Sequence, residues 1–101
     1  MDLLQLHYFV TIAECENITK AATQLHVAQP SLSKSLARIE KELGTQLFDR
    51  QGRRIVLNHY GRIALVRAQN IFRELDNLHA EINTALMQET ATVTIGSVES
   101  I

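Results

Sequence analysis

Residues 18–57 constrain the fold most strongly, because two helical patterns joined by a very short connection precede two short strand patterns. ITKAATQL predicts a helix from Ile18 to about Leu25, and HVAQ connects it to the next helix. Pro30 suits the first turn of that next helix, since its ring fixes φ and its missing N–H is not needed there. Gly44 supplies the left-handed stop near Leu43.

The flanking segments complete a helix, helix, helix, hairpin order. Apolar residues at helical spacing predict a helix over residues 3–15, and Asn17 or Thr19 can cap the helix that follows. LFDRQGRRIVL, residues 47–57, predicts two strands around a Gln51–Gly52 turn. Two helices with a short turn, followed by a two-stranded wing, form a winged helix-turn-helix pattern, so we predict a mainly α fold.

A long helix follows the wing. Asn58 can cap a helix from about His59 to Gln88, and the alternation TVTIGSV predicts a strand over residues 92–98. An isolated strand has no partner at this end of the chain, so the sequence indicates a piece of a larger protein.

The basic residues are concentrated in the middle of a chain whose net charge is −1. Residues 18–58 hold seven Lys or Arg against three Asp or Glu, a net of +4. This local positive field predicts an anionic partner. Cys15 is the only cysteine, which fits a reducing compartment, and neither a signal peptide nor a membrane-spanning run is apparent. We therefore expect a cytoplasmic protein.

The helix that starts at Pro30 has one buried face and one basic face. On a helical wheel the buried stripe consists of Leu32, Leu36, Ile39 and Leu43. The opposite side carries Pro30, Lys34, Ala37, Arg38 and Lys41, flanked by Ser31 and Ser33. Short side chains would let the helix approach base edges, Gln29 can pair with adenine, and Lys34 can reach guanine or a phosphate. The simpler alternative is an ordinary solvated face.

The wing is also basic. Arg50, Arg53 and Arg54 bracket its turn and can lie along phosphates or enter the minor groove of DNA. The alternative is a charged hairpin that prevents edge pairing. Helix and wing together predict binding to double-stranded DNA, and the competing hypothesis is a protein-interaction module built on the same scaffold.

The long helix carries an apolar heptad stripe and predicts a dimer. Its members are Ala68, Ile71, Leu75, Leu78, Ile82 and Ala85. The expected partner is the same helix of a second chain; the alternative is packing on its own headpiece.

No motif of catalysis, metal binding or cofactor binding is found in the sequence. The four histidines and Cys15 do not have metal-ligand spacing, and there is no phosphate-binding glycine loop or nucleophile motif. We predict no enzyme activity, no metal and no cofactor.

The run from Leu3 through Gly61 resembles the N-terminal DNA-binding domain of LysR-type transcriptional regulators. The resemblance is carried by NITKAATQLHVAQPSLSKSLARIEKELGTQLFDR and QGRRIVLNHYG, and it continues along the long helix. Two departures are Lys34, where the family commonly has arginine, and the NHYG sequence at the start of the long helix.

The resemblance implies a bacterial regulator that binds an imperfect inverted repeat as a dimer or tetramer. Positions matching Gln29, Pro30, Ser33 and Lys34 contact bases in the family, those matching Thr19, Ser31, Arg38 and Arg50 lie near the DNA backbone, and the one matching Arg53 enters the minor groove. The predicted domains are the winged helix-turn-helix (1–58), an antiparallel linker and dimerisation helix (59–89), and the start of a truncated effector-binding domain (90–101), whose missing part would bind a small molecule.

Overall fold

The computed structural model describes the backbone of residues 1–95 and the side chains of residues 1–89. Its elements are α1 (Leu3–Cys15), α2 (Ile18–Leu25), α3 (Gln29–Leu43), β1 (Phe48–Gln51), β2 (Arg54–Leu57) and α4 (His59–Ile95). This order confirms the mainly α, winged helix-turn-helix prediction. Residues 1–69 form one compact unit, and the described residues from Asn70 form a second.

Side chains and left-handed residues define the helix ends. The Asn17 side chain accepts a hydrogen bond from the Lys20 N–H at 2.8 Å, so Asn17 is the cap of α2 and Thr19 lies inside the helix. The Asn58 side chain accepts from the Gly61 N–H at 2.8 Å and caps α4. Gly44 ends α3 with φ of +79°, as predicted.

The core of the first unit forms where α1, α2 and α3 pack together. Phe9 and Ile12 of α1 are fully buried, and the small residues Ala21 and Ala22 let α2 approach closely. The Phe9 ring packs against Phe48 of β1, with ring centroids 5.7 Å apart, and so connects the helices to the wing.

The buried stripe of α3 is one residue shorter than predicted. Leu32, Leu36 and Ile39 are buried, but Leu43 is 48% exposed. Leu43 occupies the last position before the Gly44 stop, where it remains largely in solvent. A helical wheel predicts Leu43 to be buried, because angular position alone does not show where the elements that pack against α3 end.

The wing is an antiparallel pair whose turn lies one residue later than predicted. Gln51 pairs with Arg54, so Gly52 and Arg53 form the two-residue turn. Gly52 has φ of +65°, a conformation that glycine adopts without steric strain.

Leu47 joins three elements at the base of the wing. Its side chain is 1% exposed. Its N–H donates to Glu40 Oε2 of α3 at 2.8 Å, and its carbonyl accepts from the Asn58 N–H at 3.0 Å. The Asn58 side-chain Nδ2 group also donates to the Gln46 carbonyl at 2.9 Å. The end of α3, the wing and the start of α4 are therefore held through one short segment.

The strand predicted over residues 92–98 is wrong for its first four residues. Helix α4 continues to Ile95, and residues 96–98 lie outside the described part of the chain. Alternation indicates a strand only where a second strand can pair with it, and local helix continuation prevails here.

Gly61 should not tolerate a side chain. A Cβ atom there would lie 2.0 Å from the Leu47 carbonyl oxygen and 2.7 Å from Leu57 Cδ2. We predict that Gly61→Ala lowers the free energy of unfolding by about 3 kcal/mol or more, measured by urea denaturation. Gly44→Ala is the control: its Cβ would meet nothing within 4 Å, so only left-handed strain of about 1–2 kcal/mol applies. Equal losses for the two variants would contradict the close contact.

Candidate nucleic-acid interface

The first turn of α3 presents short or flexible side chains to solvent. Gln29, Pro30, Ser31 and Lys34 are exposed, and Ser33 is half-buried. Ala28 at the N-cap position makes no side-chain hydrogen bond, so no bulky cap obstructs this end. The end of α3 is consequently slim enough for its backbone to come close to a ligand.

Gln29 and Ser33 are connected one helical turn apart. The Gln29 Nε2 group donates to Ser33 Oγ at 3.2 Å. This bond leaves Gln29 Oε1 as an acceptor and the Ser33 hydroxyl hydrogen as a donor. The two residues thus present a paired acceptor and donor. Both residues were predicted from the sequence as base contacts, but their hydrogen bond was not predicted, although the i, i+4 spacing allows it.

The remaining exposed face of α3 is positive. Lys34, Arg38 and Lys41 are exposed on the side opposite the buried Leu32 and Ile39, as the helical wheel predicted. Because the Glu40 carboxylate accepts the Leu47 N–H, it is directed toward the wing. This side of α3 therefore carries three exposed cations between Lys34 and Lys41.

The three wing arginines occupy different places. In the strand register Arg50 lies on the same face as the buried Phe48 and Ile55, and Arg54 lies on the opposite face. Arg53 is in the turn, exposed at the tip of the hairpin. These residues were grouped by sequence proximity, but the structure separates them into three directions.

Arg54 has an internal partner. Its Nη2 forms an ion pair with Glu16 Oε1 at the end of α1. Exposed Thr19 and Lys20, at the start of α2, line the same shallow pocket as these two residues. Glu16 was not predicted from the sequence as a partner of Arg54, because the two residues lie 38 positions apart and no local pattern connects them.

The predicted dimerisation stripe is divided between the two units. Ala68 is 1% exposed within the first unit and is part of its core. In the second unit Ile71, Leu78 and Ile82 are 43%, 54% and 52% exposed. Leu75 is half-buried and Ala85 is exposed. An apolar stripe is therefore accessible from Ile71 onward.

The described chain has neither a metal-binding cluster nor a membrane-spanning helix. Within residues 1–95 no three His, Cys, Asp or Glu side chains are arranged to hold a metal ion. None of the described helices has the length and apolar character needed to span a bilayer.

A slim, cationic helix following a short turn, beside a basic two-stranded wing, defines a winged helix-turn-helix domain. Residues 3–62 match the family described as "Bacterial regulatory helix-turn-helix protein, lysR family". The chain belongs to this family and is the DNA-binding domain of a LysR-type transcriptional regulator, as the sequence resemblance predicted. The family consists of transcription regulators, which confirms that the chain is not an enzyme.

The chain is similar to two regulators of Bacillus subtilis (strain 168). It is 44% identical to the uncharacterized HTH-type transcriptional regulator YybE over 101 residues, 100% of this chain and 35% of that protein. It is 40% identical to the HTH-type transcriptional regulator BsdA over 98 residues, 96% of this chain and 34% of that protein. The chain thus spans about a third of the length of each of these two relatives.

Two solved structures with DNA have the same fold. The BenM DNA-binding domain in complex with benA site 1 DNA matches with a TM-score of 0.79 and 33% identity, covering 84% of this chain and 99% of that chain. The CbnR DNA-binding domain in a DNA complex matches with a TM-score of 0.78 and 32% identity, covering 85% of this chain and 99% of that chain.

Glu40 should contribute to the stability of the wing. Its carboxylate accepts the part-buried Leu47 N–H at 2.8 Å. Glu40→Ala leaves that donor without an acceptor, so we predict a loss of about 1–3 kcal/mol in the free energy of unfolding. Glu40→Gln retains an acceptor oxygen and should lose less. Urea denaturation measures both, and equal losses would show that the hydrogen bond is not the cause.

Proposed function

We propose that the chain binds an imperfect inverted repeat in double-stranded DNA as a homodimer, with α3 in the major groove and the wing at the minor groove. The observation that carries this proposal is the exposed Gln29 side chain, hydrogen-bonded to the half-buried Ser33, at the start of a helix that carries exposed cations. The proposal is supported by the similarity to the BenM and CbnR domains, both of which were crystallised with DNA.

Base recognition is assigned to the first turns of α3. A glutamine amide can form two hydrogen bonds with adenine in the major groove. The hydrogen bond that Gln29 donates to Ser33 Oγ restricts the orientation of the Gln29 side chain before DNA binds. Pro30 offers apolar contact to a thymine methyl group. Lys34 can reach guanine acceptors, but as a single ammonium it lacks the paired donors of arginine.

Phosphate contacts are assigned to side chains around this helix. Thr19, Ser31, Arg38 and Arg50 are all exposed and would lie along the DNA backbone. Arg53, at the tip of the wing, would enter the minor groove, whose narrow regions attract arginine. Such contacts position the domain, while α3 selects the sequence.

The apolar stripe of α4 is assigned to the dimer contact. We include Ile71, Leu75, Leu78, Ile82 and Ala85, and we exclude Ala68 because it is already buried in its own unit. Pairing of two such helices in antiparallel orientation would set the distance between the two α3 helices, and hence the spacing of the half-sites.

The proposal extends to the whole regulator of which this chain spans a part. The chain that follows α4, which is helical to Ile95, would lead into an effector-binding domain that takes a small molecule. The intact protein would be a dimer or tetramer. It would act in the bacterial cytoplasm, in contact with the nucleoid.

Substitutions in α3 should affect sequence choice. We propose to select bound duplexes from a random pool and to measure the affinity of each variant for the selected and a scrambled duplex. Gln29→Ala and Ser33→Ala should each reduce the preference by about 1–3 kcal/mol. Lys41→Ala, the control on the same helix, should weaken both duplexes alike. If a variant with alanine at Gln29, Ser33 and Lys34 kept the same preference for the selected duplex, α3 would not be the recognition helix. If the unsubstituted chain bound no DNA, the result would favour a protein-interaction module.

Substitutions in the stripe should change the mass in solution. The unsubstituted chain should have about twice its 11.4 kDa by light scattering, while Leu78→Lys with Ile82→Lys should approach 11.4 kDa, because two buried charges per helix oppose pairing. Met87→Lys is the control, since Met87 is 72% exposed but lies off the stripe. A monomeric unsubstituted chain at high concentration would reject the dimer.

A further inference from the structure

Glu16 and Arg54 are held together by their backbones as well as by their side chains. Glu16 ends α1 with φ of +54°, and its carbonyl oxygen accepts the Ile55 N–H of β2 at 3.1 Å. The residue next to Ile55 is Arg54, whose guanidinium contacts the Glu16 carboxylate. The turn between α1 and α2 therefore fixes the position of a carboxylate beside this arginine.

From this contact we infer that Glu16 is an intramolecular counter-ion that keeps Arg54 from binding a DNA phosphate. The inference rests on the proposed function. It makes Glu16 a residue that sets the affinity and the salt dependence of DNA binding, and it leaves Arg50 and Arg53 as the wing cations that contact DNA.

The surroundings show why Arg54 would otherwise contact a phosphate. Arg54 lines one shallow pocket with Thr19, which is proposed to lie near the DNA backbone, and with the exposed cation of Lys20. The Arg54 side chain is 62% exposed. Among the described contacts, the Glu16 carboxylate is the one anionic group with which it pairs. Without that carboxylate, a phosphate beside Thr19 would be within reach of the guanidinium.

Removal of the ion pair should hardly affect folding stability but should change the salt dependence of DNA binding. An exposed ion pair contributes little to folding stability, so its removal should leave the fold nearly unchanged. A phosphate contact, in contrast, releases a condensed counter-ion and changes the slope of log Kobs against log salt by about 0.9. Because phosphate contacts do not depend on sequence, the ratio of affinities for selected and scrambled duplexes should stay the same.

The test is a salt titration of DNA binding by fluorescence anisotropy with a scrambled duplex. The Glu16→Gln variant should bind DNA more tightly than the unsubstituted chain, and its slope of log Kobs against log salt should be steeper by about 0.9 per bound chain. Its gain in affinity over the unsubstituted chain should therefore shrink about 3.5-fold per chain between 50 and 200 mM salt. Glu16→Asn should behave alike, because asparagine tolerates the left-handed backbone and also lacks the charge. Glu14→Gln is the matched control, since this exposed residue of α1 makes the same change in net charge without releasing Arg54.

Arg54→Gln, alone and together with Glu16→Gln, completes a double-mutant cycle. In the unsubstituted background it should leave the slope unchanged, and in the Glu16→Gln background it should restore the original slope. The inference is overturned if Glu16→Gln and Glu14→Gln give the same slope, or if Arg54→Gln alone makes the slope shallower. If the unsubstituted chain binds no DNA, the proposed function fails and this inference fails with it, whereas binding with equal slopes overturns the inference alone.

Discussion

The backbone of Leu47 is the constraint on which the binding surface depends. Its N–H donates to Glu40 and its carbonyl accepts from Asn58, so α3, the wing and α4 meet at one peptide segment. Gly61 must pack directly against that carbonyl, which excludes any larger residue. The fully buried Leu47 side chain attaches this junction to the core. The relative placement of α3 and the wing thus follows from a few short bonds.

The surface that results combines two kinds of groups with different roles. Gln29 and Ser33 are neutral, mutually bonded and close to the start of α3, which suits the reading of base edges. Arg50 and Arg53 are positive and lie on the wing, which suits phosphates and the minor groove. A chain with a net charge of −1 can therefore bind DNA, because its positive charge is local.

Local patterns predicted most of the fold and of the candidate site. The caps at Asn17 and Asn58, the slim start of α3 and the two-stranded wing all follow from periodicity, turn residues and capping chemistry over a few positions. Contacts between distant positions were not predictable in this way. Neither the Glu16–Arg54 pair nor the Glu40–Leu47 bond has a signature in a single sequence, since each requires knowing which elements pack together.

The most direct measurement of the central claim is an NMR titration of the isotope-labelled chain with a selected duplex. If α3 enters the major groove and the wing tip meets the minor groove, the largest amide shifts should fall on residues 28–34 other than Pro30, which has no N–H, and on Gly52 and Arg53. The amides of α1 should be nearly unchanged. Shifts concentrated on the exposed Leu3 and Leu4 of α1, with residues 28–34 unchanged, would contradict the account.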